Sequence, residues 1–170
     1  MGTRHSHLDS PLGVLTLVAD DDGLSGIYFS DHARRPDDAL FGPRLRLAHD
    51  TLLAAAAEQL TEYFARDRQD FSLLLAPTGT ERQQQVWSLL REIPFGETRR
   101  YGDLAAELGQ PGMAQAIGQA VGRNPLSIVV PCHRIVGASG SLVGFAGGVE
   151  RKRFLLELEE PAAAQAGRLF

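Results

Sequence analysis

Short apolar blocks alternate with polar residues through the first third of the chain, and later the apolar positions recur every three and four residues. Residues 12–19 read as a strand that ends at the turn-forming run Asp20, Asp21, Asp22, Gly23. Residues 24–29 form a second short strand, so the two predict a hairpin. Residues 31–43 are rich in Pro, Asp and Arg and predict a loop. Leu52, Leu53, Ala56, Leu60 and Phe64 then fit one helical face over 50–64, with Asp50 or Thr51 at the N-cap. Residues 71–75 return as a strand closed by Pro77, Thr78 and Gly79, giving a small α+β unit over residues 1–79.

From Thr80 the pattern is mostly helical. An amphipathic helix over 80–93 points Val86, Trp87, Leu89, Leu90 and Ile93 inward and stops at Pro94 and Gly96. Two short helices, 101–108 and 113–121, flank the turn Gly109, Gln110, Pro111, Gly112. This is a helix-turn-helix arrangement, although such pairs also pack inside cores. The second helix is small-sided at Ala114, Ala116 and Gly118, and Gly118 costs about 1 kcal/mol of helix propensity relative to Ala. Small residues let a backbone lie close either to a neighbouring helix or to a DNA groove wall. The fold class expected is α+β, with a small sheet and helix followed by a helical unit over residues 80–170.

With 44% hydrophobic and 22% charged residues among 170, a packed core is expected and disorder is not. The apolar runs at 52–57 and 127–130 are too short to span a bilayer, so no membrane partner is expected. The first twelve residues carry Arg4, His5, His7 and Asp9 without an apolar stretch, so no leader is expected and cytoplasm is the default. The net charge of −4 conceals an asymmetry: 7 Arg oppose 12 Asp and Glu in residues 1–80, whereas 98–153 carry 7 Arg and Lys against 3 acids. A nucleic-acid surface would therefore belong to the second half.

Cys132 is the sole cysteine, which excludes an internal disulfide, a CxxC pair and a cysteine-based zinc site. It is either a packed thiol or a reactive one. Attack by sulfur needs the thiolate, which a nearby base or positive charge supplies. His133 adjoins it, yet neighbours on a strand point to opposite faces. The pair can cooperate only if Pro131 turns the chain or a water bridges them. Glu159 or Glu157, on a closing helix over 151–158, could orient the imidazole. The stretch 137–148 contains five glycines, which allow close approach to a flat ligand with Phe145 available to stack.

The run from Asn124 through Pro131, Cys132, His133 and Arg134 to Gly137 resembles the active-site signature of the O6-alkylguanine-DNA alkyltransferases. The likeness extends over Phe95-Gly96-Glu97-Thr98 with Tyr101, Ala116-Ile117-Gly118, and Gly147-Gly148 with Arg151-Lys152, covering nearly all of 80–160. It implies a ribonuclease-H-like N-terminal domain and a winged-helix-like C-terminal domain. The helix-turn-helix of such proteins lies in the minor groove of double-stranded DNA, with the alkylated guanine flipped out of the stack.

Carried onto this chain, the resemblance makes Cys132 the acceptor, activated through water by His133, itself held by Glu159. Tyr101 donates to the guanine and Asn124 braces the turn before the cysteine. Ala114, Gln115, Ala116, Gly118 and Arg123 meet DNA. Val130 and Cys132 read the base edge, and the loop with Ser139 and Phe145 forms a lid. The thioether product has no good leaving group, so a single turnover is expected. No metal or organic cofactor is expected, and a monomer is, with cooperative assembly along DNA left open. Two departures stand out: Gln115 replaces a common arginine that fills the gap of the flipped base, and Phe145 replaces a common tyrosine. The rival readings are a damage sensor that binds without transfer and a Cys-His-Glu hydrolase with multiple turnovers.

Overall fold

The computed structural model describes residues 2–110, 112–138, 140, 142 and 145–161. Three antiparallel strands in the order β1 (Arg4–Leu8), β2 (Leu15–Asp20), β3 (Gly23–Phe29) form the sheet. The expected hairpin is β2–β3, closed where Asp20 Oδ1 accepts from Asp22 and Gly23 N–H at 2.8 and 3.2 Å. The strand expected from residue 12 starts only at Leu15. Residues 10–13 instead close a tight turn, with Ser10 N–H donating to Gly13 O at 3.1 Å and the reverse bond at 3.0 Å. β1 carries no apolar alternation because its buried groups are polar and each has a partner. Arg4 pairs with Asp50 at 2.6 Å, His5 Nδ1 meets Gly42 O at 3.1 Å, and Ser6 Oγ donates to Leu45 O at 2.7 Å.

α1 (Thr51–Phe64) is capped by Asp50, whose carboxylate accepts from Leu53 N–H at 2.9 Å, a contact worth about 1 kcal/mol. Its inward face carries Tyr63, fully buried, whereas Phe64 is half-buried, so the expected face is rotated by one residue. Residues 71–75 do not form the expected strand. They run alongside β3 through one bridge, Leu24 to Leu75, because their backbone bonds to the sheet go only to Leu24, while Ser72 N–H donates to Gln59 Oε1 of α1 at 2.9 Å.

α2 (Glu81–Arg91) starts at a reciprocal cap between Thr80 and Gln83. α3 (Tyr101–Glu107) and α4 (Ala114–Gly122) make the helix-turn-helix. α3 ends where Gly109 adopts φ 70 and Gln110 N–H bonds back to Ala105 O at 2.8 Å. Trp87 of α2 donates its indole N–H to Ala120 O at 2.8 Å, which fixes α4 from behind. α5 (Val149–Glu159) closes the described chain and extends one residue past the expected end, placing Glu159 in its last turn. Between α2 and α3, β4 (Arg99–Arg100) pairs in parallel with β5 (Ile135–Val136), which follows the cysteine.

One apolar cluster runs through both halves, from Leu15 and Phe29 to Ile117 and Leu155. β3 also joins the second half directly: Ile27 N–H donates to Pro125 O at 2.8 Å, immediately after α4. Arg151 of α5 adds a clasp. It bonds Leu12 O and Gly147 O at 3.1 Å each, pairs with Asp31 and covers the Phe29 ring at 4.8 Å.

Candidate active site and nucleic-acid face

Residues 127–130 form turns rather than the expected strand, with the β-branched Ile128 held at φ 77. Asn124 fastens this bend: its Nδ2 donates to Val130 O at 2.7 Å and its Oδ1 accepts from Leu126 N–H at 3.0 Å. Val130 O also accepts from Cys132 N–H at 2.8 Å, while Val130 N–H donates to Leu126 O. The backbone groups expected to read a base edge at Val130 and Cys132 are thus already engaged in holding the turn.

Pro131 does turn the chain. Cys132, His133 and Arg134 form one 3-10 turn, all buried, which removes the strand geometry that would have separated Cys132 from His133. Cys132 is 6% exposed. Burial pushes its thiol up, against the pull of a hydrogen bond from Asn124, the Lys152 charge and the backbone N–H groups of Cys132 and His133. At rest the group is a thiol, so its proton must leave as attack begins. Tyr101, at the start of α3, is half-buried, and its hydroxyl is raised by burial and then by Cys132.

The histidine is oriented by Glu159, not by the exposed Glu157. His133 Nε2 lies 2.6 Å from Glu159 Oε2. A carboxylate only accepts, so Nε2 carries the proton and Nδ1 presents its lone pair. Nδ1 is buried without a hydrogen bond among the described residues. Burial lowers the imidazole below its usual value despite Glu159, so it is a neutral base. Burial raises Glu159, but the hydrogen bonds from His133 and Arg134 and the Arg134 charge outweigh it and bring the acid to about 2.

Three groups went unassigned in the sequence. Arg134 holds both Glu159 oxygens, through Nε at 2.7 Å and Nη2 at 3.0 Å, and donates to Ile93 O at 2.6 Å. Tyr63 of α1 donates to Glu159 Oε2 at 2.6 Å. Lys152 is fully buried, donates Nζ to Ile135 O and is lowered by burial to about 8. Arg134 and Lys152 lie inside the motifs that carry the family resemblance, where sequence alone gives neither cation a partner. Tyr63 lay one position off the helical face chosen for α1.

On α4, Ile117, Ala120 and Val121 are buried, Gln115 is exposed, and Ala114, Ala116 and Gly118 are intermediate. A Cβ added at Gly118 would sit 3.6 Å from the Tyr101 ring, an ordinary contact, so protein packing does not require glycine there. Arg123 is exposed just past the helix. Phe145 is buried edge-on against Phe29, 5.9 Å between centroids, and Ala146 O accepts from Ala33 N–H at 2.9 Å, so the first half backs this end of the loop. Ser139 lies outside the described residues.

The buried ionisable groups give a pH signature. His32 is packed between Phe29 and Tyr28 and accepts from Phe29 N–H through Nδ1 at 3.3 Å. Burial, then Arg35 and Arg151, bring it from 6.5 to about 4. A histidine lowered on folding supports the fold above 6.5 and withdraws that support as pH falls toward the folded value. Melting temperature should therefore drop between pH 6.5 and 4, with His32 contributing on the order of 3 kcal/mol and His133 adding the same sign. Glu159, lowered from 4.5 to about 2, adds a second loss between those values. Calorimetry across pH should show His32→Gln flatter than the parent from 6.5 to 4; parallel curves would exclude the assignment.

A helix-turn-helix set beside a cysteine whose histidine is locked by a carboxylate defines the class of DNA-directed proteins with a nucleophilic thiol. Family models described as 6-O-methylguanine DNA methyltransferase, ribonuclease-like domain, and 6-O-methylguanine DNA methyltransferase, DNA binding domain, match residues 3–77 and 81–161. The chain belongs to the methylated-DNA–protein-cysteine methyltransferase family. It is 42% identical over 163 residues to the Mycobacterium bovis methylated-DNA–protein-cysteine methyltransferase, covering 96% of each chain. It is 42% identical to the Methanosarcina acetivorans protein of that name, over 89% of this chain and 94% of the other. The crystal structure of Mycobacterium tuberculosis O6-methylguanine methyltransferase superposes with a TM-score of 0.83 at 41% identity, covering 96% and 98% of the two chains. Mycobacterium tuberculosis OGT in complex with DNA matches at a TM-score of 0.83 and 42% identity over 92% of each.

Proposed function

We propose that this protein repairs DNA by direct reversal, moving the alkyl group of O6-alkylguanine in duplex DNA irreversibly onto Cys132. The observation that carries the reading is the oriented His133, whose Nδ1 lone pair lies in the same buried turn as the sole cysteine. Family membership supports the substrate class. In the transfer, a Cys132 Sγ–carbon bond forms and the carbon–O6 bond breaks, its electron pair leaving on guanine. The thiol proton passes to His133 Nδ1 through a bridging water, and Tyr101 donates toward the guanine as negative charge develops. The thioether cannot return, so each molecule acts once.

The flipped base is admitted from the minor groove past α4, with Ala114, Ala116 and Gly118 giving the low profile, and Gln115 and Arg123 beside the gap. Phe145 lines the base pocket, and for Ser139 that assignment rests on the family resemblance alone. We place the domain division at residues 79 and 80, and the working state as a monomer in the cytoplasm. No helix among the described residues is long and apolar enough to cross a membrane.

Intact mass after incubation with a duplex carrying O6-methylguanine tests the reading. One added methyl per chain, on the Cys132 peptide and never more, is expected. Binding without a mass change would support the damage sensor, and repeated turnover of an ester would support the hydrolase. Gln115→Arg adds a positive charge at the groove and should tighten lesion binding and steepen its salt dependence by about one unit in log–log slope. Unchanged affinity in a titration would mean that another group fills the gap.

A further inference from the structure

The repair reading assigns the relay to the second half alone, yet one donor comes from the first. Three donors converge on Glu159 Oε2: Tyr63 Oη and His133 Nε2, both at 2.6 Å, and Arg134 Nη2 at 3.0 Å. Glu159 Oε1 takes Arg134 Nε. Arg134 is held in turn by Ile93 O and lies over the Phe95 ring at 5.9 Å. The carboxylate therefore cannot swing, and its charge is shared between a fixed cation and two donors on one oxygen.

We infer that Tyr63 is a positioning residue of the proton relay: by donating to the oxygen that His133 also uses, it limits how basic Glu159 makes the imidazole. The inference rests on the proposed transfer to Cys132. Burial and the charge of Glu159 keep the Tyr63 hydroxyl protonated, so it is a permanent neutral donor. The other groups facing His133 are Arg134 and Cys132 from its own turn and Lys152 from α5. None of them shares Oε2 except Arg134, which remains in a tyrosine variant. Withdrawing one donor from a carboxylate oxygen concentrates its charge on those left. His133 would then hold a proton to higher pH, and the neutral base would be lost earlier as the solution is acidified.

Tyr63→Phe removes only the hydroxyl and keeps the ring against Phe64, Phe71 and Phe95. The second-order rate of methyl transfer from an O6-methylguanine duplex, measured across pH, should show its acid limb moved upward by about half a unit to one unit. Site-specific 3-fluorotyrosine at position 63, a stronger donor, should move the limb downward and keeps the question open to test if the phenylalanine variant folds poorly. An unmoved limb in both, or a rate lowered equally at every pH, overturns the inference. Absence of any transfer by the parent protein would instead overturn the repair reading beneath it.

Discussion

Cys132→Ala abolishes methyl uptake and leaves affinity for lesion-bearing duplex within about threefold, because phosphate and groove contacts, not the acceptor, set the binding term. The thiol and the exposed candidates for DNA contact lie on different parts of the molecule. The thiol lies in the turn after α4, 6% exposed, whereas Gln115 and Arg123 stand on or just beyond the helix and are open to solvent. Truncating a thiol to a methyl removes one buried atom and costs about 1 kcal/mol, too little to unfold a domain of this size. Intact mass and a binding titration on the same preparation read both halves of the statement. Loss of binding along with transfer would show that the cysteine turn also shapes the groove face.

The second large effect concerns the anchor beneath the histidine. Glu159 is 2% exposed and accepts from Tyr63, His133 and two nitrogens of Arg134, Nε and Nη2. Glu159→Ala leaves the Arg134 guanidinium, 6% exposed, without its counter-charge. Breaking a buried pair from one side costs about 3–5 kcal/mol, a fall in melting temperature on the order of 10 °C for a chain of this length. The transfer rate should fall about a hundredfold or more, because the tautomer that presents Nδ1 is no longer selected. Adding Arg134→Met should return part of the stability without the rate. Recovery of both together would mean that the carboxylate serves the fold alone.

Much of this was legible in the residues. The spacing of Leu53, Ala56 and Leu60 predicts α1, Asp50 marks its cap, and the Gly109 turn between two short helices predicts the helix-turn-helix. What escaped did so for identifiable reasons. β1 buries Arg4, His5 and Ser6, whose partners lie about forty residues away, and no hydropathy pattern records a partner. Residues 127–130 look like a strand by composition, yet Asn124 bends them into turns and places Ile128 at positive φ. Cys132 and His133 were plain in the signature and Glu159 was one of two candidates, but the choice depended on where the last turn of α5 ends. Tyr63 could not be joined to Glu159 from sequence because 96 residues separate them and only the packed halves bring them together.

The near-complete enclosure of the sulfur also bears on how the molecule survives until it is needed. A protein that works once is lost whenever its acceptor meets a stray peroxide or a small electrophile. Kept protonated and walled off, the side chain is a poor target for freely diffusing reagents, since oxidation and alkylation in solution both favour exposed thiolates. Under the proposed transfer, discrimination then operates by access as well as by intrinsic reactivity: the reactant that meets the sulfur is the one a docked double helix delivers.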